Sequence, residues 1–499
     1  MADAAAQRAL DGQGDEGAAT LRERIVERVG KRQRTAGKGR LEGVPRELQQ
    51  ERAVGLGKRL VHRGDLPPAR WYLESVIVKL PFATDTLAVD LRGLKVRPLE
   101  PAAPAGAADL PRLIRQALDR PLDGGPLAEL AHGRTDATVV VPDATRKIEL
   151  AAVLPVVLEQ LARAGVPDRR VSVLVACGTH PPLSDGSLAS LVGPVPSGIR
   201  IMQHDARDEA ALVRVGSLTD GSAVRLHRLA AEASLLVTVG GVRHHYFAGF
   251  GGGPKMVFPG VAGYREIQAN HARVLRRHGG ELEREPGCQP GVLDGNPVAE
   301  EIARAADCRP PDCALCLVPG RDGRPAFAAA GPWRTAFAAA VERARHWYEI
   351  AAGRFPLAVA SAGGAPADAT LIQAHKGLDA ACRFLDEGGE VLFAADLSSG
   401  AGSPDMQPFL DDPRPSAIMQ RLAERWVQYG HTTLRLVSLT ARYRVHLVSR
   451  LDDALARRLG FHPVSDPASI VHGWRRTRAG DMVAVIANQP VFPRLRPPA

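Results

Sequence analysis

The chain has 499 residues, 45% of them hydrophobic and 24% charged, with 50 glycines, 39 prolines and only six cysteines. This is the composition of an ordinary globular protein, and it excludes a mostly disordered, collagen-like or disulfide-stapled chain. The formal net charge of +9 invites a nucleic-acid reading, so the placement of the charge matters.

Residues 1–70 hold 15 Lys/Arg against 10 Asp/Glu, which is five of the nine net charges. The densest part, LRERIVERVGKRQRTAGKGR (21–40), has few large apolar residues and reads as a solvated extension. The rest of the chain is only mildly basic, which argues against a nucleic-acid partner for the folded part. The opening MADAAAQRALDGQGDEG has no apolar signal core. No apolar run approaches the ~18 residues of a membrane span. With sparse cysteines, the expectation is a cytoplasmic protein with no membrane partner.

From about Trp71 short β-branched runs alternate with helix-period segments. ATVVV (137–141), VSVLVACG (171–178), SLLVTVGG (234–241), CALCLVPG (313–320), PLAVASAGG (356–364), EVLFAADL (390–397), LRLVSL (434–439) and MVAVIANQ (482–489) are predicted strands. KIELAAVLPVVLEQLARAG (147–165), TAFAAAVERARHWYEIAAG (335–353) and ATLIQAHKGLDAACRFLDEGG (369–389) are predicted helices. The alternation predicts an α/β protein with two α/β domains and mainly parallel sheets. The expected division is an extension at 1–65, a domain at 66–345 and a domain at 346–499. Ligands of such sheets sit at the carboxyl ends of strands.

Four polar clusters fall at predicted strand ends: Asp143-Ala144-Thr145-Arg146, Gly178-Thr179-His180, the glycine-rich stretch 243–271, and SAGGAPADATLIQAHK (361–376). In the third, Gly249, Gly251, Gly252 and Gly253 precede Lys255. Pro254 and Met256 rule out a P-loop. What remains is a lysine on a constrained loop with His245 and His271 on either side. A lysine amine can anchor a group covalently, and a histidine can serve as base or metal ligand. Taken singly, each residue has a plain alternative. Lys255 fits a surface charge, Asp143 a helix N-cap, and His180 a cap or core histidine. Gln373 and Lys376, one helical turn apart, fit a solvated face. Cys308, Cys313 and Cys316 have a metal-like spacing but no fourth ligand, and read as core residues.

Together, DATR (143–146), GTH (178–180), AGFGGGPKMVFPGV within H-x9-K-x15-H, GNPV (295–298) and SAGGAPADATLIQAHKGLDAA (361–381) resemble the nickel-pincer lactate racemase family. The resemblance runs from about residue 71 to at least 400. It implies two α/β domains with the active site in the cleft between them, and reversible hydride transfer from C2 of a 2-hydroxy acid. The implied cofactors are nickel and a pyridinium-3-thioamide-5-thiocarboxylate mononucleotide tethered to Lys255, with His271 as the metal ligand. His180 and His245 match the catalytic acid–base pair. Arg146, Gln373 and Lys376 match substrate-holding residues, and Asp143 and Thr145 cofactor-side contacts. The implied partners are a small anionic 2-hydroxy acid or sugar acid and the enzymes that make the cofactor. Pro181 and Lys147 depart from the family's GTHRP and DxTRP. The competing readings are a conventional NAD-dependent 2-hydroxyacid oxidoreductase, for which no clean G-x-G-x-x-G turn is present, and a non-catalytic homologue with a nucleic-acid-binding tail.

Overall fold

A parallel pairing joins the two ends of the folded chain. Strand β1 (Lys95–Pro98) lies against Met482–Ile486 near the opposite end. Six later strands belong together: β2 (Ala137–Pro142), β3 (Val171–Ala176), β4 (Arg200–Gln203), β5 (Leu236–Gly241), β6 (Cys313–Pro319) and β7 (Pro325–Gly331). They form one sheet in the order β7-β6-β5-β2-β3-β4, parallel except for the β6–β7 hairpin. The second sheet contains β8 (Phe355–Ser361), β9 (Leu385–Ala394), β10 (Arg444–Val448), β11 (His462–Pro463) and β12 (Met482–Ile486). Its order is β11-β10-β9-β8-β12-β1, parallel throughout. This computed structural model describes residues 76–146, 148–487 and 490–494, all within the unit Arg70–Ala499. The extension predicted at 1–65 and Lys147 lie outside the described residues.

The α/β, mainly parallel architecture is therefore as the alternation predicts. Its cause is visible in β2, where all six residues are buried. Val139, Val141, Val173, Val175, Val237 and Val239 face one side and pack with helix α1 (Leu150–Arg163). Val140, Leu174 and Leu236 face the other, against Met256 and Val261. Side chains alternate along a strand, so a sheet covered on both faces reads as an unbroken apolar run. Cys313 and Cys316 follow the same rule. They join the clusters on opposite faces of β6 and so cannot share one metal ion.

Four further helices matter for the site: α2 (Tyr264–Ala272), α3 (Trp333–Tyr348), α4 (Leu371–Cys382) and α5 (Gln428–Arg442). LRLVSL (434–439), a predicted strand, belongs to α5. Leu434, Arg435 and Leu436 are each only 1% exposed. A helix covered on all sides yields an apolar run with no 3.6-residue period, which a sequence cannot tell from a buried strand. The strand of this region is β10, which follows α5 directly in the sequence. Among the described residues no helix is long and apolar enough to cross a membrane.

After β5 the chain turns sharply. Gly252 and Gly253 have φ of +71° and +52°, a region open to glycine but costly for other residues. A Cβ on Gly252 would lie 2.7 Å from the Gly241 carbonyl oxygen. Gly252→Ala is expected to destabilise the protein by at least about 1 kcal/mol. Chemical denaturation checks this, and an unchanged midpoint would show that the turn relaxes freely.

Candidate active site

The carboxyl ends of neighbouring strands set the first half of the site. Asp143 follows β2 directly, and His180 stands four residues after β3. Helix α1 begins only at Leu150 with Glu149 at its cap, so Asp143 is not an N-cap. Its carboxylate is instead 5% exposed as a residue and holds two neighbours. Oδ2 lies 2.5 Å from His180 Nδ1. Oδ1 accepts from the Thr145 hydroxyl at 2.5 Å and the Thr145 main-chain N–H at 3.1 Å. Burial pushes the Asp143 carboxyl up, but the hydrogen bond and charge of His180, the Arg146 charge and the Thr145 hydroxyl outweigh it and hold it at about 2. A carboxylate on Nδ1–H leaves the lone pair of the other ring nitrogen, Nε2, free to take a proton. Thus neither plain alternative for His180, cap or core, describes its environment.

His245 is wired the opposite way. It lies in a tight antiparallel pair, His244–His245 with Gly249–Phe250. Its Nδ1 accepts from the main-chain N–H of Ala248 at 3.2 Å and of Phe247 at 3.5 Å. In the neutral ring the proton then sits on Nε2. Burial, followed by the charges of Lys255, Arg146 and Lys376, holds its pKa well below the usual histidine value. The adjacent His244 is turned away, 3.1 Å from Glu349 Oε1 and stacked on Phe492 at 4.4 Å.

Lys255 sits on a short 3-10 turn, Gly253–Met256, with its amine 5.6 Å from the Phe247 ring centre. Burial and the Arg146 charge lower its pKa to about 7. A substantial fraction is therefore neutral amine at physiological pH, the form that reacts as a nucleophile. It is not the solvated surface lysine of the plain reading.

His271, near the end of α2, is 5% exposed. Its Nδ1 meets Asn270 Oδ1 at 3.2 Å, while the Asn270 amide nitrogen donates to Glu301 Oε2 at 2.8 Å and the Val298 carbonyl at 3.2 Å. The asparagine thus has only its oxygen to offer. The proton of His271 is fixed on Nδ1, and Nε2 keeps its lone pair. Burial, with the Lys255 and His180 charges, lowers its pKa to about 3. An imidazole held neutral and oriented by a neighbour is the usual state of a metal-ligating histidine. Among the described residues no group of three or more His, Cys, Asp or Glu side chains could hold a metal ion.

The second half comes from α4, which follows β8. Thr370 caps this helix, its hydroxyl accepting from Gln373 N at 3.3 Å. Lys376 Nζ donates to Gln373 Oε1 at 2.7 Å. Burial and the Arg146 charge lower Lys376 to about 7, against an opposing pull from Asp143. Arg146 itself is exposed, and it borders a cavity of about 520 Å³ that Glu149, Ser187 and Ser190 also line. The charges of Arg146, Lys255 and Lys376 all bear on His245, and those of Lys255 and His180 on His271. All nine residues singled out in the sequence are therefore drawn together, from the carboxyl ends of both sheets.

Three participants have no sequence signal of their own. Asn270 orients His271. Tyr246 stacks on His245, with ring centres 4.9 Å apart. Tyr429 lies close enough for the charges of Asp405 and Asp143, after burial, to raise its phenol. GNPV contributes structure instead, since Asn296 caps the helix Pro297–Cys308. His462 and Trp474 sit with His446 and Glu390 toward the amino end of the second sheet, away from these groups.

The electrostatics make one test direct. Lys255 has a folded pKa below its unfolded value of 10.5, so the unfolded chain binds more protons between about pH 7 and 10. Stability must rise with pH across that window. Lys255→Met in the cofactor-free protein is expected to be the more stable form at pH 7, with the difference shrinking toward pH 10. Urea titrations at both pH values check this, and a destabilised variant at pH 7 would contradict the desolvated amine.

Comparisons with known proteins converge on this arrangement. Residues 85–282 match the family model described as the lactate racemase N-terminal domain. A lactate racemase of Lactiplantibacillus plantarum is 29% identical over 324 residues, 63% of this chain and 74% of that protein. A lactate racemase of Thermoanaerobacterium thermosaccharolyticum is 26% identical over 353 residues, covering 70% and 81% respectively. The solved lactate racemase apoprotein of that organism superposes with a TM-score of 0.75 at 22% identity, over 85% of this chain and all of that one. The matched stretch spans β2 to β5 and contains Asp143, His180, His245 and Lys255, so the chain is similar in sequence to lactate racemases and shares the fold of the solved apoprotein.

Proposed function

We propose that this protein racemises or epimerises a 2-hydroxy acid with a nickel-pincer nucleotide tethered to Lys255. The similarity to lactate racemases supports an isomerase acting on a hydroxy acid. The observation that carries the finer reading is the opposite wiring of two histidines in one cation-rich pocket. His180 gives Nδ1–H to Asp143, and His245 receives main-chain N–H at Nδ1.

The residues present fit the cofactor. Lys255, lowered to about 7, would hold the nucleotide through a thioamide, and His271 would ligate nickel through the Nε2 that Asn270 leaves free. Asp143 and Thr145 lie on the cofactor side. The chemistry supplied when the group is bound is reversible acceptance of the C2 hydride.

The chain's own side chains do the rest. Arg146, Gln373 and Lys376 hold the carboxylate and the C2 oxygen, so that only the substituents at C2 change places. His180 Nε2 takes the hydroxyl proton as C2 becomes planar, and Asp143 stabilises the resulting imidazolium. His245 presents Nε2–H from its own element to the same oxygen as a hydrogen-bond donor, and the proton taken by His180 would return to that oxygen as the product hydroxyl re-forms. Lactate is the substrate named for the relatives, and larger 2-hydroxy and sugar acids share the same reacting group. The six free thiols suit a reducing, cytoplasmic setting.

Co-expression with the cofactor-making enzymes, followed by intact-protein mass spectrometry, is expected to show an adduct that Lys255→Ala abolishes. In D₂O the loaded protein should wash deuterium into C2 of an accepted acid. His180→Asn or His245→Asn should lower that rate by about 10²–10⁴-fold without loss of the adduct. Exchange that survives both substitutions would refute the acid–base assignment.

A further inference from the structure

Arg435, on α5, is among the largest fully buried side chains of the protein, at 1% exposure. Removing a guanidinium from water costs several kcal/mol unless its partners repay it. Its ionic partner is Asp379, with Nη2 2.5 Å from Oδ1. None of its three nitrogens, Nη2 included, has a hydrogen-bond partner of good geometry among the described residues, so the Asp379 contact is an ion pair. The guanidinium carbon lies 5.0 Å from the centre of the Tyr246 ring, a cation–π distance. An apolar side chain would fill this volume without the desolvation cost, so packing alone does not account for the charge.

The two contacts lead to the two halves of the site. Tyr246 lies nearly parallel to His245, with ring centres 4.9 Å apart and planes inclined by 22°. His375, from α4, meets Tyr246 edge-on at 5.0 Å, and the phenol is hydrogen-bonded to Thr432 of α5. Asp379 stands one helical turn beyond Lys376 on α4, and Arg383 braces it from the same helix at 3.1 Å. One guanidinium therefore touches the ring against which His245 rests and the helix that carries Gln373 and Lys376.

We propose that Arg435 is a positioning residue that fixes His245 relative to Lys376, through Tyr246 on one side and Asp379 on the other. The proposal rests on the racemase reading for its catalytic consequence, but not for its structural one. Main-chain N–H groups steady one edge of the His245 ring, and its tilt is set by the rings packed on it, Tyr246 stacked at 4.9 Å and Phe247 edge-on at 4.7 Å. Misplacement of a reacting group by about 1 Å costs on the order of 10²-fold in rate.

Two measurements on the full chain test this. In the cofactor-free protein with ¹³C-labelled histidine, the His245 imidazole signal is assigned by its loss in His245→Asn. It should shift in Arg435→Met and in Tyr246→Leu, and less in Arg435→Lys, which keeps a cation. In the loaded protein, Arg435→Met should retain the Lys255 adduct while kcat for C2 exchange of L-lactate falls about 10- to 100-fold, with a smaller change in KM. The Arg435→Met/Tyr246→Leu double variant should be no slower than the slower single variant, since the two act in series. An unmoved His245 signal in folded Arg435→Met, or additive losses in the double variant, would overturn the proposal. A shifted signal in a protein whose wild type shows no adduct and no exchange would instead sink the racemase reading and leave the positioning role standing.

Discussion

Everything in the site is arranged around the cost of holding several cationic and imidazole groups out of water in one place. Arg146 depresses Lys255, Lys376 and His245 together, and Lys255 depresses both His245 and His271. Asp143 is the carboxylate that answers them at this point. It stays ionised despite burial because His180, Arg146 and Thr145 stabilise its charge. The surplus is positive. Burial first, and that surplus second, hold Lys255, Lys376, His245 and His271 toward their neutral forms, and the surplus leaves a pocket whose electrostatics an incoming anion improves.

The scaffold makes this crowding possible. Parallel strands deliver their carboxyl ends to a common edge, so Asp143 and His180 arrive from adjacent β2 and β3. The Gly252–Gly253 turn after β5 brings Lys255 close behind the His245 pair. The second sheet presents α4 from its own carboxyl edge. Each group stands on a short connection to a buried strand or on a capped helix. The geometry therefore rests on backbone rigidity, and among the site residues only Thr145 and Arg146 are exposed.

The parts of this plan that were legible in the sequence are those with a local signal. The unbroken valine runs of β2 and β3 mark strands covered on both faces. The clustering of polar residues just after such runs marks the site, and the His–Lys–His spacing carried the family resemblance. What stayed hidden depends on partners distant in the chain. LRLVSL looks like a strand because α5 is covered on every side, and only its packing against α4 and the His245 loop reveals the difference. Asn270 is one polar residue among many until its amide is seen committed to Glu301 and Val298, leaving its oxygen for His271. The edge strands β1 and β11 are too short and too polar to stand out. Their identity comes from the neighbours they extend.

The placement of β1 has a consequence for how the protein is made. Lys95 Nζ reaches the Gly480 carbonyl across 385 residues of chain, and β1 has no ladder partner in its sheet except β12. At about 5–20 residues per second of synthesis, roughly 20 s or more separate the emergence of the two strands. During that interval the first sheet, complete by β7, can already be assembled with Asp143, His180 and Lys255 in place. The second sheet still lacks the strand that joins β8 to β1. Closure of this long loop must wait until β12 has been made, and the ladder that links β1 to β8 forms only then.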